Sequence, residues 1–335
     1  SKGIKIIKRA EMLAWITDQS VNRIAVAGTH GKTTTTAMLA KVFDLNQLQP
    51  TYFIGCDMDY VEGNAKLGQG KFSVAEADES DSSFLLLSPT VEVITNIEED
   101  HMENFGSTEV LLETFIKFAG QAANSGFIVI DPNQPNNRRL MERVKARFIT
   151  YGLSGKVDYS AEHLRYDHFS SRYDLLHSGK KIGEVELEVP GWQNILNSLA
   201  VFAVSFEFGL EFSAVANALR TFSGARRRFQ TVGDFQEILV IDDYAHHPTE
   251  IKATLAAARS GWPKRRLICV FQPHRYTRTM LLKDQFAGAF GDADKVIITD
   301  IYPAAEKPIP GVSGKTIADL VKAKEGKDVI YVKRK

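Results

Sequence analysis

The stretch "RIAVAGTHGKTTTTAMLAKVFDL" (23–45) decides how the chain is read. Residues 23–28 form the apolar, β-branched run of a buried strand, and from Gly31 onward the spacing turns helical. Between the two stands "GTHGKT". The strict phosphate-loop pattern G-x-x-x-x-G-K-[ST] asks for glycine five residues before Gly31, and Val26 stands there instead. The order of parts is still the one that phosphate binding needs. Gly28 and Gly31 lack Cβ, so the backbone can turn sharply and its N–H groups can approach an anion. The helix start adds the equivalent of about half a positive charge. Lys32 can reach phosphate oxygens and Thr33 can offer a hydroxyl to Mg²⁺. Gly28, Thr29, Gly31, Lys32, Thr33 and Thr34 are therefore the expected nucleotide-binding residues. A tight turn with a solvated lysine is the competing reading.

Outward from this stretch, β-branched runs alternate with amphipathic ones. Strands are expected at 72–78, 91–97 and 126–132, and a helix at 107–122 capped by Ser107. Residues 157–191 alternate polar and apolar, with turn signals at Ser170-Ser171 and Ser178-Gly179, as antiparallel strands do. Helices follow at 193–207 and 213–221. Beyond "SGARRRFQ" the βα pattern restarts, with strands expected at 237–242, 266–271, 295–299 and 328–332. The fold class is α/β: a P-loop ATPase domain with a mostly parallel sheet plus antiparallel strands, then a Rossmann-like α/β domain. The boundary falls near Gln230, giving domains at 21–230 and 231–335.

Lys plus Arg and Asp plus Glu both number 41, so the net charge of zero gives no overall electrostatic footprint for nucleic acid or an anionic membrane. No run approaches the roughly 18 apolar residues of a membrane span, and the N-terminal stretch does not read as a signal peptide. The two cysteines, Cys56 and Cys269, sit in apolar settings. They are expected to be free, buried thiols, which fits a reducing cytosol.

Chemistry-bearing clusters stand at the expected strand ends. "EADESDSSF" (76–84) brings Glu76, Asp78, Glu79 and Asp81 to the rim where an open α/β sheet binds ligands. A carboxylate beside a Lys-Thr loop suits Mg²⁺, which prefers hard oxygens. "ITNIEEDHMENFG" (94–106) carries Asn96, Glu98, Asp100 and His101. "DDYAHHPTEI" (242–251) offers Asp242 and Asp243 to a ribose and His246 to a substrate carboxylate, with Pro248 suited to a first helical turn. His246 and His247 have the wrong spacing for a shared zinc face, and no cysteine cluster completes a site. "FQPHRYTRTM" (271–280) adds His274, Arg275 and Arg278, and "ARRRF" (225–229) a basic run; arginine grips carboxylate and phosphate bidentately.

Taken in order, "GTHGKTTTTAM", "EADESDSSF", "ITNIEEDHMENFG", "PGWQNILNSLA", "FSGARRRFQ", "DDYAHHPTEI" and "FQPHRYTRT" resemble the Mur ligase family of bacterial peptidoglycan synthesis, over about residues 28–315. They look most like the branch that joins L-alanine to UDP-N-acetylmuramate. The resemblance implies a cytoplasmic, ATP-dependent carboxylate–amine ligase working through an acyl phosphate, with ATP and Mg²⁺. It implies that Lys32 binds ATP phosphates and that Thr33, Glu76 and His101 hold Mg²⁺. Asn194 and Asn197 would contact adenine, Arg227 or Arg228 the phosphates, and Asp243 the ribose. Tyr244, His246, Arg275 and Arg278 would position the amino acid and the muramoyl end. Gln193 stands where the family usually has histidine. The resemblance also implies a UDP-binding domain before this chain, with residues 1–20 as the linker from it, and a C-terminal domain that ends early at "VIYVKRK". A chain without that domain would ligate poorly. Two other classes stay open at this point: a P-loop ATPase that switches or moves a protein partner, and a dinucleotide-binding module, for which G-x-G-x-x-G is missing after the first strand.

Overall fold

The structure, a computed structural model, describes residues 6–58, 63–122 and 126–333. The helix α1 (Arg9–Thr17) precedes β1 (Asn22–Ala27), α2 (Lys32–Leu45), β2 (Thr51–Phe53), β3 (Ala65–Lys66) and β4 (Phe72–Glu76). Next come β5 (Val91–Ile94), α3 (Met102–Phe105), α4 (Thr108–Ala122), β6 (Phe127–Ile130), α5 (Pro135–Arg143) and β7 (Phe148–Gly152). The strands β8 (Tyr159–Asp167), β9 (Ser170–His177) and β10 (Lys180–Leu187) lead to α6 (Trp192–Glu207) and α7 (Phe212–Arg220). The rest is β11 (Gln230–Phe235), β12 (Ile238–Asp242), α8 (Pro248–Gly261), β13 (Ile268–Phe271), α9 (Tyr276–Leu281), α10 (Lys283–Phe286), β14 (Lys295–Thr299), α11 (Gly314–Glu325) and β15 (Asp328–Val332). Contacts divide the chain into two units, the second made of residues from Arg227 onward with the short pieces 166–170 and 190–192.

The first unit is built on a ten-stranded sheet in the order β10-β9-β8-β7-β6-β5-β1-β4-β2-β3. The pairs from β2 across to β8 are parallel, while β3 runs against β2 and β10 against β9. This is the expected α/β class, antiparallel strands included. At its centre β1 lies between β4 and β5, with Val26 opposite Glu76 and Ala27 opposite Ile94. The apolar stripe of α4 (Leu111, Leu112, Phe115, Phe118) closes one core with Ile94, Ile128, Ile130 and Phe84. Ser107 caps α4 as expected, its hydroxyl accepting from the Val110 N–H at 3.3 Å.

In the second unit β13, β14 and β15 form a three-stranded parallel sheet. Phe271, Val296 and Ile298 pack against Ile251, Leu255, Phe286, Ile317 and Val321 from the helices and Phe290 from the segment after α10. Pro248 opens α8, as expected.

Four expectations need correction. The strand expected at 237–242 does not start the second parallel sheet; it is β12, paired antiparallel with β11 in a sheet of its own. The loop between them places Gln236 and Glu237 at φ +47° and +66°. Tight hairpin turns need that geometry, but Asn or Gly usually marks it. The first β8–β10 turn is at His168-Phe169, not at Ser170-Ser171, which starts β9; His168 takes φ +50°. Ser178-Gly179 is a turn as expected, at φ +50° and +76°. Residues 9–17 of the stretch expected as linker form α1, whose Thr17 carbonyl accepts from Ser73 at 3.2 Å; residues 1–5, 334 and 335 lie outside the described residues. Finally, both cysteines are free, yet each is only half-buried. Among the described residues, no helix is long and apolar enough to cross a membrane.

Phe84 anchors the acidic segment to the core, stacking on Phe118 at 4.5 Å and meeting Phe115 edge-on at 5.3 Å. Phe84→Ala is expected to lower the unfolding free energy of the first unit by about 3–5 kcal/mol, measured by denaturant titration.

Candidate active site

The loop after β1 turns on two glycines whose backbone angles strain any other residue. Gly28 sits at φ +134°, and a Cβ on it would lie 2.1 Å from the Thr95 hydroxyl. Gly31 sits at φ +83° as the residue before α2, and its Cβ would meet Asn197 Oδ1 at 2.7 Å. The loop is also bolted to the segment after β5. The Thr29 and His30 N–H groups donate to the Asn96 backbone and side-chain oxygens at 2.9 and 2.8 Å. Thr95 Oγ1 and Asn96 Nδ2 donate back to the His30 carbonyl. Thr29 Oγ1 exchanges hydrogen bonds with the Glu98 backbone.

Lys32 and Thr33 open α2, and each meets one carboxylate. The Lys32 ammonium donates to the carbonyls of Gly28 and Thr29 and sits 2.8–2.9 Å from both oxygens of Glu79, which is almost fully buried. Burial alone would lower the Lys32 pKa; the charge of Glu79, reinforced by Glu76 and Asp78, outweighs it and raises the pKa. Lys32 is therefore held as a cation. Burial pushes the Glu79 carboxyl up, with Lys32 opposing it. Thr33 Oγ1 donates to Glu76 Oε1 at 3.0 Å. Of the four carboxylates in "EADESDSSF", the structure thus brings Glu76 and Glu79 to the loop. Asp78 and Asp81 instead accept from the backbone N–H groups of Ser80 and Ser83.

His101 stands at the far end of the β5 segment, with φ +54°. Its ring nitrogens lie 3.6 Å from Asp100 and 3.7 Å from Glu103. Thr33 and Glu76 are thus joined directly, whereas His101 is partnered within its own segment. Asn194 and Asn197 lie one turn apart on α6, linked at 3.4 Å, and Asn197 packs on Gly31. Sequence reasoning noted Asn96 and Glu79 but did not single them out, and it passed over Thr95; all three support the loop rather than carry a motif.

In the second unit, Asp243 is fixed by the N–H groups of Phe229 (2.9 Å) and Ala245 (2.8 Å). Burial raises its carboxyl pKa, with Arg228 opposing. Arg227 and Arg228 lie over the Tyr244 ring at 4.7 and 5.7 Å. His246 Nδ1 is 2.8 Å from the Tyr244 carbonyl, so it carries the proton, and the ring stands 5.8 Å from that of His274. Arg278 is buried, with its guanidinium 3.1 Å from His274 Nδ1; Arg275 holds φ +69° and donates its N–H to the Tyr302 carbonyl. His246, Arg275 and Arg278 thus gather around His274, which sequence reasoning had noted without assigning it a role, and Tyr244 stands beside His246 at 5.1 Å.

Burial, then the charges of Arg278, His246 and Arg275, hold His274 down from 6.5 to about 4. A lowered histidine binds fewer protons folded than unfolded. Its contribution is therefore complete above pH 6.5 and lost as pH falls toward about 4. The expected result is a second unit that loses stability across that window, with His274→Gln flattening the dependence. Thermal melts at stepped pH, beside NMR titration of the ring, check it.

The chain matches the family model of the Mur ligase middle domain over residues 26–205 and that of the Mur ligase glutamate ligase domain over 227–335. A UDP-N-acetylmuramate–L-alanine ligase of Pelobacter propionicus is 46% identical over 330 residues, covering 98% of this chain and 72% of the relative. The crystal structure of UDP-N-acetylmuramate-alanine ligase MurC from Thermotoga maritima superposes with a TM-score of 0.78 at 34% identity, covering 96% of this chain and 70% of that one. MurF ligase from the same organism, solved in complex with ADP, shares the fold at a TM-score of 0.74 and 18% identity, over 99% of this chain and 82% of that one. With both family models matched in order along a two-unit α/β fold, the chain belongs to the Mur ligase family.

Proposed function

We propose that the chain is an ATP-dependent ligase that joins L-alanine to the carboxylate of UDP-N-acetylmuramate in peptidoglycan synthesis, in the bacterial cytoplasm. The substrate carboxylate attacks the γ-phosphate of ATP and ADP leaves, giving an acyl phosphate. The amine of L-alanine attacks the acyl carbon, and inorganic phosphate leaves from the tetrahedral intermediate.

The observation that carries this proposal is the meeting of Lys32, Thr33, Glu76 and Glu79 around a loop closed by Gly28 and Gly31. Phosphoryl transfer asks mainly for position and charge neutralisation. Lys32, kept cationic by Glu79, supplies a fixed positive charge, and the first turn of α2, Lys32 to Thr34, supplies backbone N–H donors. The Thr33 hydroxyl and the Glu76 carboxylate are adjacent hard oxygens, a donor set that fits Mg²⁺, and His101 is assigned to the same ion directly or through water. When bound, Mg²⁺ would neutralise phosphate charge. Asn194 and Asn197 are assigned to the adenine, Asp243 to the ribose, and Arg227 and Arg228 to the phosphates. Arg275 and Arg278 are assigned to carboxylate groups of the amino acid and the muramoyl end, with Tyr244 beside them. His246, whose Nδ1 faces the Tyr244 carbonyl, is assigned to positioning the attacking amine.

A calorimetric titration with an unhydrolysable ATP analogue and Mg²⁺ tests the nucleotide assignment. Wild type is expected to bind, and Lys32→Ala to bind at least about a hundredfold more weakly while staying folded. A folded wild-type chain that ignores the analogue, or a variant that binds equally well, overturns it.

A further inference from the structure

Glu76 ends β4, which lies between β1 and β2. Its Oε1 accepts from Thr33, in the segment following β1, and its Oε2 accepts from the backbone N–H of Gly55, two residues beyond the end of β2, at 2.7 Å. A Cβ on Gly55 would stand 2.4 Å from Oε2 and 2.7 Å from Oε1. The carboxylate is therefore a bridge between two loops, and the second loop approaches so closely that only glycine leaves the carboxylate where it is. No motif marks Gly55, and its chain conformation does not require glycine, since its φ is not in the left-handed region. What requires glycine there is the space occupied by Glu76.

We infer that Gly55 is a positioning residue for Glu76, its amide fixing the carboxylate's rotation so that it faces a divalent cation shared with Thr33. This rests on the assignment of Glu76 to Mg²⁺ above. Each carboxylate oxygen keeps acceptor capacity beyond its single hydrogen bond. With both rotations about the side chain held, that capacity points in one direction before any ligand arrives, and shifts well below an ångström matter at such sites.

The test is a Mg²⁺ titration of analogue binding in wild type, Gly55→Ala, Glu76→Gln and the double variant. Gly55→Ala is expected to raise the Mg²⁺ concentration for half-saturation about tenfold. At saturating Mg²⁺ it is expected to recover wild-type analogue affinity to within about twofold, which a merely damaged fold would not do. In the Glu76→Gln background the same substitution is expected to add nothing to the Mg²⁺ dependence, because the anionic ligand that Gly55 would position is gone. An equal shift in both backgrounds, or no shift in wild type, overturns the inference while leaving the Mg²⁺ assignment intact. A Glu76→Gln variant with unaltered Mg²⁺ dependence overturns the assignment and the inference together. Should Gly55→Ala not fold, the Gly55 amide resonance of the wild-type chain decides the matter. It is expected to move on Mg²⁺ addition in the presence of the analogue, and a stationary resonance overturns the inference.

Discussion

The parallel pairing of β1 with β4 on one side and β5 on the other is the constraint on which the first unit's site depends. Parallel strands held in register end at the same rim of the sheet, so the loops that leave them must share one edge. Because β2 pairs with β4 in turn, four consecutive loops are brought to that edge from points far apart in the chain. None of Lys32, Glu76, Asn96 and Gly55 is a sequence neighbour of another, yet hydrogen bonds tie each of their segments to the next.

That convergence works only because the backbone comes close. At Gly28 and Gly31 the loop meets Thr95 and Asn197 at distances that leave no room for a side chain. At the same points the freed N–H and C=O groups find partners in the segment after β5. Close packing also explains the charges. A buried lysine is unfavourable alone, and a buried glutamate likewise; set 2.8 Å apart, Lys32 and Glu79 each supply what the other lacks. The helix that begins at Lys32 then presents a charged group whose direction is set before any ligand arrives.

Much of this was legible in the residues. Glycines at a strand-to-helix junction and a carboxylate run at a strand end mark the rim where the loops converge, although an acidic run alone is more often a solvated turn. The alternation of residues 157–191 marked antiparallel strands correctly, and Ser178-Gly179 carried a real turn signal. Legibility failed where a tertiary partner, not a local preference, decides. Nothing in "EADESD" says that Glu79 goes to Lys32 and Glu76 to Thr33, while Asp78 and Asp81 hold their own loop. Gly55 looks like any loop glycine until Glu76 stands beside it. The β11–β12 turn uses Gln236 and Glu237, residues that give no warning of left-handed backbone. His101 was grouped with Thr33 and Glu76 through resemblance alone, and in the structure its neighbours are Asp100 and Glu103.

Around Lys32, three carboxylates (Glu79, Glu76 and Asp78) exert their charge on a single ammonium. Carboxylates thus outnumber the ammonium at a loop proposed above to receive an anion. A naked triphosphate approaching it would be repelled, whereas one already escorted by a divalent cation would arrive nearly matched to the surface. Under the proposed function, that imbalance would act as a filter on the form of nucleotide admitted. Occupancy of the loop would then follow the free divalent-cation level in the surrounding medium as much as the nucleotide concentration itself.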